Sequence, residues 1–462
     1  MNYPPVMKNR YLSNNLAFIY LIVGTIICQV CDGQTFVTNA LWTSPNRIPV
    51  LCVAPNGGLL AFVENRIIVT NYDGGYVNVT LRRSMDDGTN WTPMQTIASD
   101  GTNTFSCGAV VTDTNTGTMF FFAGWGLFGD GETAIDNKTS VGTRHMYLLS
   151  STNSGTNWSA PVEITSSVKQ TNWDWCDPGP ATGIQLASGR LIVPWYYSIM
   201  TNYYPSVMYS DDDGTTWLSS VGATNNMAGY DECSVVALTN GNLMMITRND
   251  TKITTFMGIS ISTNEGVAWS PITNSTVLSD SGCEASFIRY TAPPGYGKTR
   301  LIFANPDSPI LYNRVLGTVR ISYDEGQTWA VSKLYYPNMF GYSALAILPN
   351  HQWGLLSENG TSTYYDQISF MSDTLSNLTD GADELDPQTV RPPMLKFSIV
   401  SANLVLSWPT SSIPYSLQEA IGPVVTNWTS AAGVYSVSIS NGQNQFSHPY
   451  TNHNEYFRLK SP

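Results

Sequence analysis

The stretch Ser210–Trp217 reads SDDDGTTW, three acids in a row, then a glycine and, three residues on, a tryptophan. It recurs as SMDDGTNW from Ser84, STNSGTNW from Ser151, STNEGVAW from Ser262 and SYDEGQTW from Ser322. The copies of S-x-[DN]-x-G-x-x-W stand about 50 to 70 residues apart, a spacing that marks a repeated supersecondary unit. Each follows a strand-like run, such as NVTLRR before Ser84 and GTVRI before Ser322, and each precedes a new apolar segment, so the motif belongs in a hairpin turn. In such a turn the Asp or Asn side chain satisfies backbone N–H groups, Gly supplies a positive φ, and Trp packs beneath the loop. A calcium loop of the helix–loop–helix type needs a glutamate at its twelfth position, and counted from Asp211 that position is Gly222. These aspartates are therefore read as turn residues.

Composition agrees with many short strands. Of 462 residues only 12% are charged while 12% are aromatic, and no amphipathic heptads occur. The 22 Lys+Arg stand against 34 Asp+Glu, a net charge of -12, which argues against a nucleic-acid partner and requires a local arginine cluster for any anionic ligand. Lys8 and Arg10 precede an apolar run from Leu16 to Val30, the pattern of a secretory leader over 1–33, with a membrane anchor as the alternative. No other stretch is apolar and long enough to span a bilayer, so no membrane span is expected in the mature chain. Once Cys28 and Cys31 leave with the leader, Cys52, Cys107, Cys176, Cys233 and Cys283 remain; widely spaced and odd in number, they are expected to be buried, mostly free thiols.

Units of four short strands at this period close radially into a β-propeller. From about Trp42 to Met371 the repeats, together with NRIPVL near the mature N-terminus, resemble the sialidase (neuraminidase) family of Asp-box proteins, the bacterial-type exo-α-sialidases. The fold this implies is all-β: a six-bladed propeller over 34–380, a linker over 381–394 and a small C-terminal β-sandwich-like module over 395–462. The tail carries no box and no candidate catalyst; its Trp408, Tyr415 and Trp428 either pack a core or bind sugar.

The substrate of such an enzyme carries a carboxylate on its anomeric carbon. Holding it calls for planar, permanently charged arginines, and its charge would repel a carboxylate nucleophile, so a tyrosine activated by a glutamate takes that role. Matched motif by motif, the resemblance assigns Arg47 in NRIPVL, Arg248 in ITRND and Arg314 after NPDSPILYN to the carboxylate clamp, with Arg66 in LLAFVENR as a further substrate-binding arginine. Arg320, which alternates into the strand leading to the Ser322 turn, is the alternative third clamp residue. Asp73 in NYDGGYVNV corresponds to the acid/base, Glu232 in YDECSVVAL to the glutamate that polarises the tyrosine, and Tyr342 in FGYSAL to the nucleophile. The reaction implied is retaining hydrolysis of terminal sialic acids on glycoproteins, glycolipids and oligosaccharides, with no metal or organic cofactor.

The chain also departs from the family pattern. SCGAVV from Ser106, DPGPATGIQL from Asp177 and LLSENG around Glu358 differ from the usual segments, and Trp173, Trp175, Tyr196 and Tyr197 either line subsites or pack. Alternatives kept open are a non-catalytic glycan- or protein-binding propeller, a hydrolase for another anomeric-carboxylate sugar of the Kdo type, and a trans-sialidase.

Overall fold

The computed structural model describes residues 39–69, 74–106, 108–223, 229–250 and 254–385, and in the tail 395–401, 403–409, 416–421, 429–431, 438–440, 443–449 and 455–460. The leader expected over 1–33, most of the linker, and Asp73, Cys107, Tyr415 and Trp428 lie outside the described residues. The fold is all-β: among the described residues the α-helices are only Glu132–Asp136, Thr165–Val168 and Leu375–Leu378.

Apart from one parallel pairing, Val77 with Thr104, the strand pairs are antiparallel and locally ordered, as sequential hairpins require. Tyr230–Ala237, Leu243–Asn249, Phe256–Ser262 and Thr273–Ser279 pair in sequence order as one four-stranded sheet. The first strand of that sheet touches Ser286–Thr291, which touches Val331–Ile347, then Asn46–Val53, Ala109–Thr112 and Ile184–Gln185, and the last returns to Tyr230–Ala237. Six inner strands thus form a closed ring. They surround an axial cavity of about 380 Å³ lined by Leu51, Thr182, Val235, Ile288 and Leu345 among others. Arg47, Glu232 and Tyr342 precede these lining positions on their own strands, so all three sit toward the same end of the ring.

Two features of this closure were not apparent from the repeats. Val331–Ile347 joins two halves of one seven-stranded sheet: Val331 faces Ile321 on one side, while Ser343 faces Ser357 on the other. The N-terminal strand Asn39–Thr43 pairs with Gln367–Asp373 and supplies the outer strand of the last sheet, joining the two ends of the ring.

The boxes have the turn geometry expected of them. In the box from Ser210, the Ser Oγ donates to Asp212 Oδ1 at 2.8 Å and accepts the Gly214 N–H at 2.9 Å. Asp212 Oδ1 accepts the Thr216 N–H at 2.8 Å, and Trp217 Nε1 donates to the Gly214 carbonyl at 3.0 Å. Asn153 and Asn264 accept the equivalent N–H groups in their own boxes, which is why Asn substitutes freely for Asp.

The glycine has a second duty. A Cβ on Gly88 would meet Phe370, on Gly214 Phe120, on Gly266 Val207 and on Gly326 Met244, each a residue of another sheet, while on Gly155 it would meet Leu60, on a distant strand of the same sheet. Every box is therefore a packing contact with a strand outside its own hairpin as well as a turn. Gly214 has φ +83° and its Cβ would lie 2.1 Å from Phe120. Gly214→Ala is expected to cost about 2–4 kcal/mol, from left-handed strain and overpacking together, read as a lower urea midpoint at unchanged slope.

In the tail, Lys396–Val400, Asn403–Pro409, Gln443–Pro449 and Ser438–Ser440 form one sheet, and Thr429–Ser430, Ser416–Ile421 and Glu455–Lys460 a second. Leu406, Trp408, Leu417 and Phe446 from both sheets share a core. Trp408 thus packs inward and presents no sugar-binding face. Cys52, Cys176, Cys233 and Cys283 are buried free thiols.

Candidate active site

Tyr342 lies where its strand bulges. Phe340 faces Asn359 and Ser343 faces Ser357, so the tyrosine strand carries an extra residue there, and the ladder is broken at the tyrosine. The Tyr342 hydroxyl lies 2.6 and 2.7 Å from the two Glu232 oxygens, to which it donates, and accepts from Arg248 Nη1 at 2.8 Å. Arg248 Nη1 is also 2.8 Å from Glu232 Oε2. Burial pushes the Tyr342 hydroxyl well above its ordinary pKa. Burial likewise lifts Glu232, up to about 7, with Asp231 adding to the rise and Arg248 opposing it.

The same device recurs on the Glu232 strand. Tyr230 faces Asn249 while Cys233 faces Thr247, and the extra residue lets consecutive acids, Asp231 and Glu232, both reach Arg248. Asp231 accepts from Nε at 2.8 Å and Nη2 at 2.5 Å in a bidentate fork, leaving Nη1 for the tyrosine.

A third bulge, between Arg47 and Val50, includes Ile48 at φ 55°. Arg47 donates from Nε at 2.9 Å and Nη2 at 3.1 Å to Glu358, which also accepts the Ile48 N–H at 2.9 Å and the Tyr342 N–H at 3.2 Å. Burial opposes the charges of both Arg47 and Glu358, and their pairing outweighs it, raising the guanidinium and lowering the carboxyl. Glu358 reaches so far in because residue 341 is glycine: a Cβ there would lie 2.6 Å from the Glu358 carboxylate.

Three guanidinium groups surround one phenol. Arg47 and Arg314 lie 5.5 and 5.2 Å from the Tyr342 ring centroid, and Arg248 holds its hydroxyl. Arg314 donates from Nη2 to the Gly282 carbonyl at 2.5 Å; its buried Nε makes no hydrogen bond, and among the described residues it has no carboxylate partner. A buried cation so placed is a ready site for an anion. Arg320 is spent elsewhere, on Asn305 and Asp307. Arg66 is buried beside Glu64, with Nε 2.6 Å from Oε2, and Glu64 faces Arg47 across the strand pair. Asp73 falls in the chain between Leu59–Val69 and Gly75–Ser84, outside the described residues.

Reading the sequence missed Asp231 and Glu358 as the groups that aim Arg248 and Arg47. Tandem acids in YDE and the Gly341 before the tyrosine were the available signals. It also left the aromatics open: Trp173, Trp175, Tyr196 and Tyr197 are buried. Trp173 stacks on Tyr197 at 3.5 Å between centroids, and Trp175 lies 4.3 Å beneath the Arg144 guanidinium, so packing claims them.

Residues 57–355 match the family model described as a BNR repeat-like domain. A sialidase of Micromonospora viridifaciens is 32% identical over 351 residues, 72% of this chain and 53% of that protein. One of Bacteroides fragilis is 29% identical over 335 residues, 68% of this chain and 60% of its own. The chain thus spans between 53% and 60% of the length of these two relatives. Among solved structures, the Hadza microbial sialidase Hz136 superposes with TM-score 0.64 at 26% identity, covering 72% of this chain and 66% of that one. The intramolecular trans-sialidase from Ruminococcus gnavus gives TM-score 0.63 at 17% identity, covering 74% and 98%, a likeness of fold. Such sialidase structures share the β-propeller architecture. By its repeats and by these relatives, the chain belongs to the BNR repeat-like, sialidase family.

Proposed function

We propose that the protein is an exported exo-α-sialidase that removes terminal sialic acids from glycoconjugates by a retaining mechanism, on a six-bladed propeller followed by a small β module. The closed ring of six inner strands supports the architecture. The apolar leader pattern supports export, to the cell surface, periplasm or medium. The observation that carries the activity is the Tyr342–Glu232 pair, 2.6 Å apart, inside a set of three guanidinium groups.

Arg47, Arg248 and Arg314 take the sugar carboxylate. Asp73 protonates the departing glycosidic oxygen while Tyr342 Oη attacks the anomeric carbon and passes its proton to Glu232. Tyrosine suits this step because, unlike a carboxylate, it approaches the anionic sugar without charge repulsion. Water then cleaves the glycosyl-tyrosine with Asp73 as base, and the anomeric configuration is retained. The test is release of umbelliferone from an umbelliferyl α-sialoside by the purified chain. A folded protein without turnover would contradict the reading and direct attention to another anomeric-carboxylate sugar.

A pH profile follows from Glu232. Its carboxylate must be ionised to accept the tyrosine proton, and burial first, then Asp231, lifts its pKa to about 7. Falling pH protonates it, so kcat/KM is expected to drop on the acid side with an apparent pKa above the ordinary glutamate range. An acid limb at an ordinary carboxylate value would contradict this assignment.

A further inference from the structure

We propose that Asp280 is a positioning residue that fixes two of the clamp arginines, Arg248 and Arg314, relative to one another from beneath the pocket. The inference deepens the function proposed above and rests on it.

The turn Asp280–Glu284, DSGCE, follows the strand Thr273–Ser279 and leads to Ser286–Thr291. Asp280 is wholly buried, and its carboxylate accepts only backbone N–H groups in the described contacts. Oδ2 accepts from Asn249 at 2.6 Å, the residue that follows Arg248. Oδ1 accepts from Gly282 at 2.8 Å and Cys283 at 3.1 Å, which sets the turn.

The carbonyls of that turn then hold the other arginine. Gly282 O accepts from Arg314 Nη2 at 2.5 Å, and Ser281 O accepts the N–H of Tyr312, two residues before Arg314, at 2.7 Å. Arg248 stands on the sheet that ends in Thr273–Ser279, and Arg314 precedes a strand of the next sheet. One carboxylate therefore ties together two sheets at the point where each presents a guanidinium. Asp280 makes no hydrogen bond to Tyr342, Glu232 or either guanidinium; it acts through the backbone.

A planar carboxylate is gripped well only by cations held at fixed spacing, so a group that sets this spacing governs affinity for the anion more than the chemical step. Ionised Asp280 suits the task, having acceptor capacity for all three N–H groups and no proton to misplace. Asp280→Asn keeps the size, yet an amide that still accepts from the turn must turn its NH2 toward the Asn249 N–H, donor against donor.

The experiment compares the parent chain with Asp280→Asn, following umbelliferyl α-sialoside hydrolysis and inhibition by free N-acetylneuraminate, which carries the same carboxylate. The expected result is a rise in KM and in the product Ki of about tenfold or more, with kcat held within about threefold. In an Arg314→Ala background the same substitution should raise Ki by a smaller factor than in the parent, because only its hold on Arg248 is left to lose. Gly282→Ala is the second variant in case Asp280→Asn does not fold: it leaves Asp280 in place, and its Cβ would lie 2.9 Å from Leu311 and 3.2 Å from Tyr312. It should shift the carbonyl that holds Arg314 and raise Ki in the same way.

A parent chain with turnover whose Ki is unchanged by Asp280→Asn or, failing that, by Gly282→Ala overturns this inference and leaves the proposed function standing. So does an equal fall in kcat and rise in KM. A folded parent without turnover overturns the proposed function itself.

Discussion

Replacing Tyr342 by phenylalanine lowers kcat/KM on an umbelliferyl α-sialoside by about 10³-fold or more, while the protein stays folded. The expectation separates the ring from its hydroxyl. Tyr342 is 4% exposed and its ring lies within cation–π range of Arg47 and Arg314, and phenylalanine keeps both that packing and those contacts. What disappears is the oxygen between Glu232 and Arg248, and with it the covalent route. Umbelliferone departs easily without much acid assistance, so a deficit on this substrate reports on attack at carbon rather than on protonation by Asp73. The far-ultraviolet and thermal signatures of the variant should match those of the parent. Residual activity within tenfold of the parent would mean that another group, or water directly, does the attacking.

Arg248→Ala is the second large effect, and it strikes stability as well as rate. Arg248 neutralises Asp231 through two hydrogen bonds and lies 2.8 Å from Glu232, with both acids buried. Removing it leaves two buried carboxylates facing each other, a change that typically costs about 3–5 kcal/mol. It also removes the donor to the tyrosine oxygen and part of the anion site, so kcat/KM should fall by about 10³-fold or more. The double variant Asp231→Asn/Arg248→Ala distinguishes the two consequences. Neutralising Asp231 should restore much of the stability in a urea titration, while activity stays lost. Activity returning with stability would show that Arg248 serves the fold alone.

Much of this was legible in the chain, and the reason differs from feature to feature. The boxes were readable because a turn is a local object: Ser, Asp, Gly and Trp at fixed offsets satisfy one another's hydrogen bonds within eight residues. Sheet order followed, since sequential hairpins pair with their neighbours. The ring closure was not legible, because Asn39–Thr43 pairs with a strand over 320 residues away and nothing in NALWT names its partner. The strand Val331–Ile347 reads as one run and pairs with Val315–Ser322 along its first half and Trp353–Gly360 along its second, which was hidden for the same reason.

At the site, Arg47, Arg248, Arg314, Glu232 and Tyr342 were picked out by motif, and the structure brings the first four around the Tyr342 phenol. Arg314 lies 5.2 Å from that ring, whereas Arg320 pairs with Asp307. The groups that aim the arginines escaped notice. In a regular strand Asp231 and Glu232 would point to opposite faces, and only a bulge, set by the register of the partner strand, turns both to Arg248. Glu358 looked like a departure from a motif and proves to join Arg47 to the backbone of Tyr342. The aromatic-rich segment from Trp173 stayed open between subsite and packing because composition does not say which face of a strand is covered; the stack of Trp173 on Tyr197 does.

The central claim is that Tyr342 forms a covalent bond to the sugar, and trapping tests it directly. A sialosyl fluoride bearing a second fluorine at the neighbouring ring carbon loses its anomeric fluoride to the attacking tyrosine, and the remaining fluorine slows hydrolysis of the bond so formed. Mass analysis of the digested protein should find the fluorosialosyl group on the peptide that contains Tyr342, in step with loss of activity and absent from Tyr342→Phe. Label on another residue, or full turnover with inverted configuration of the first-released sugar, would contradict the account.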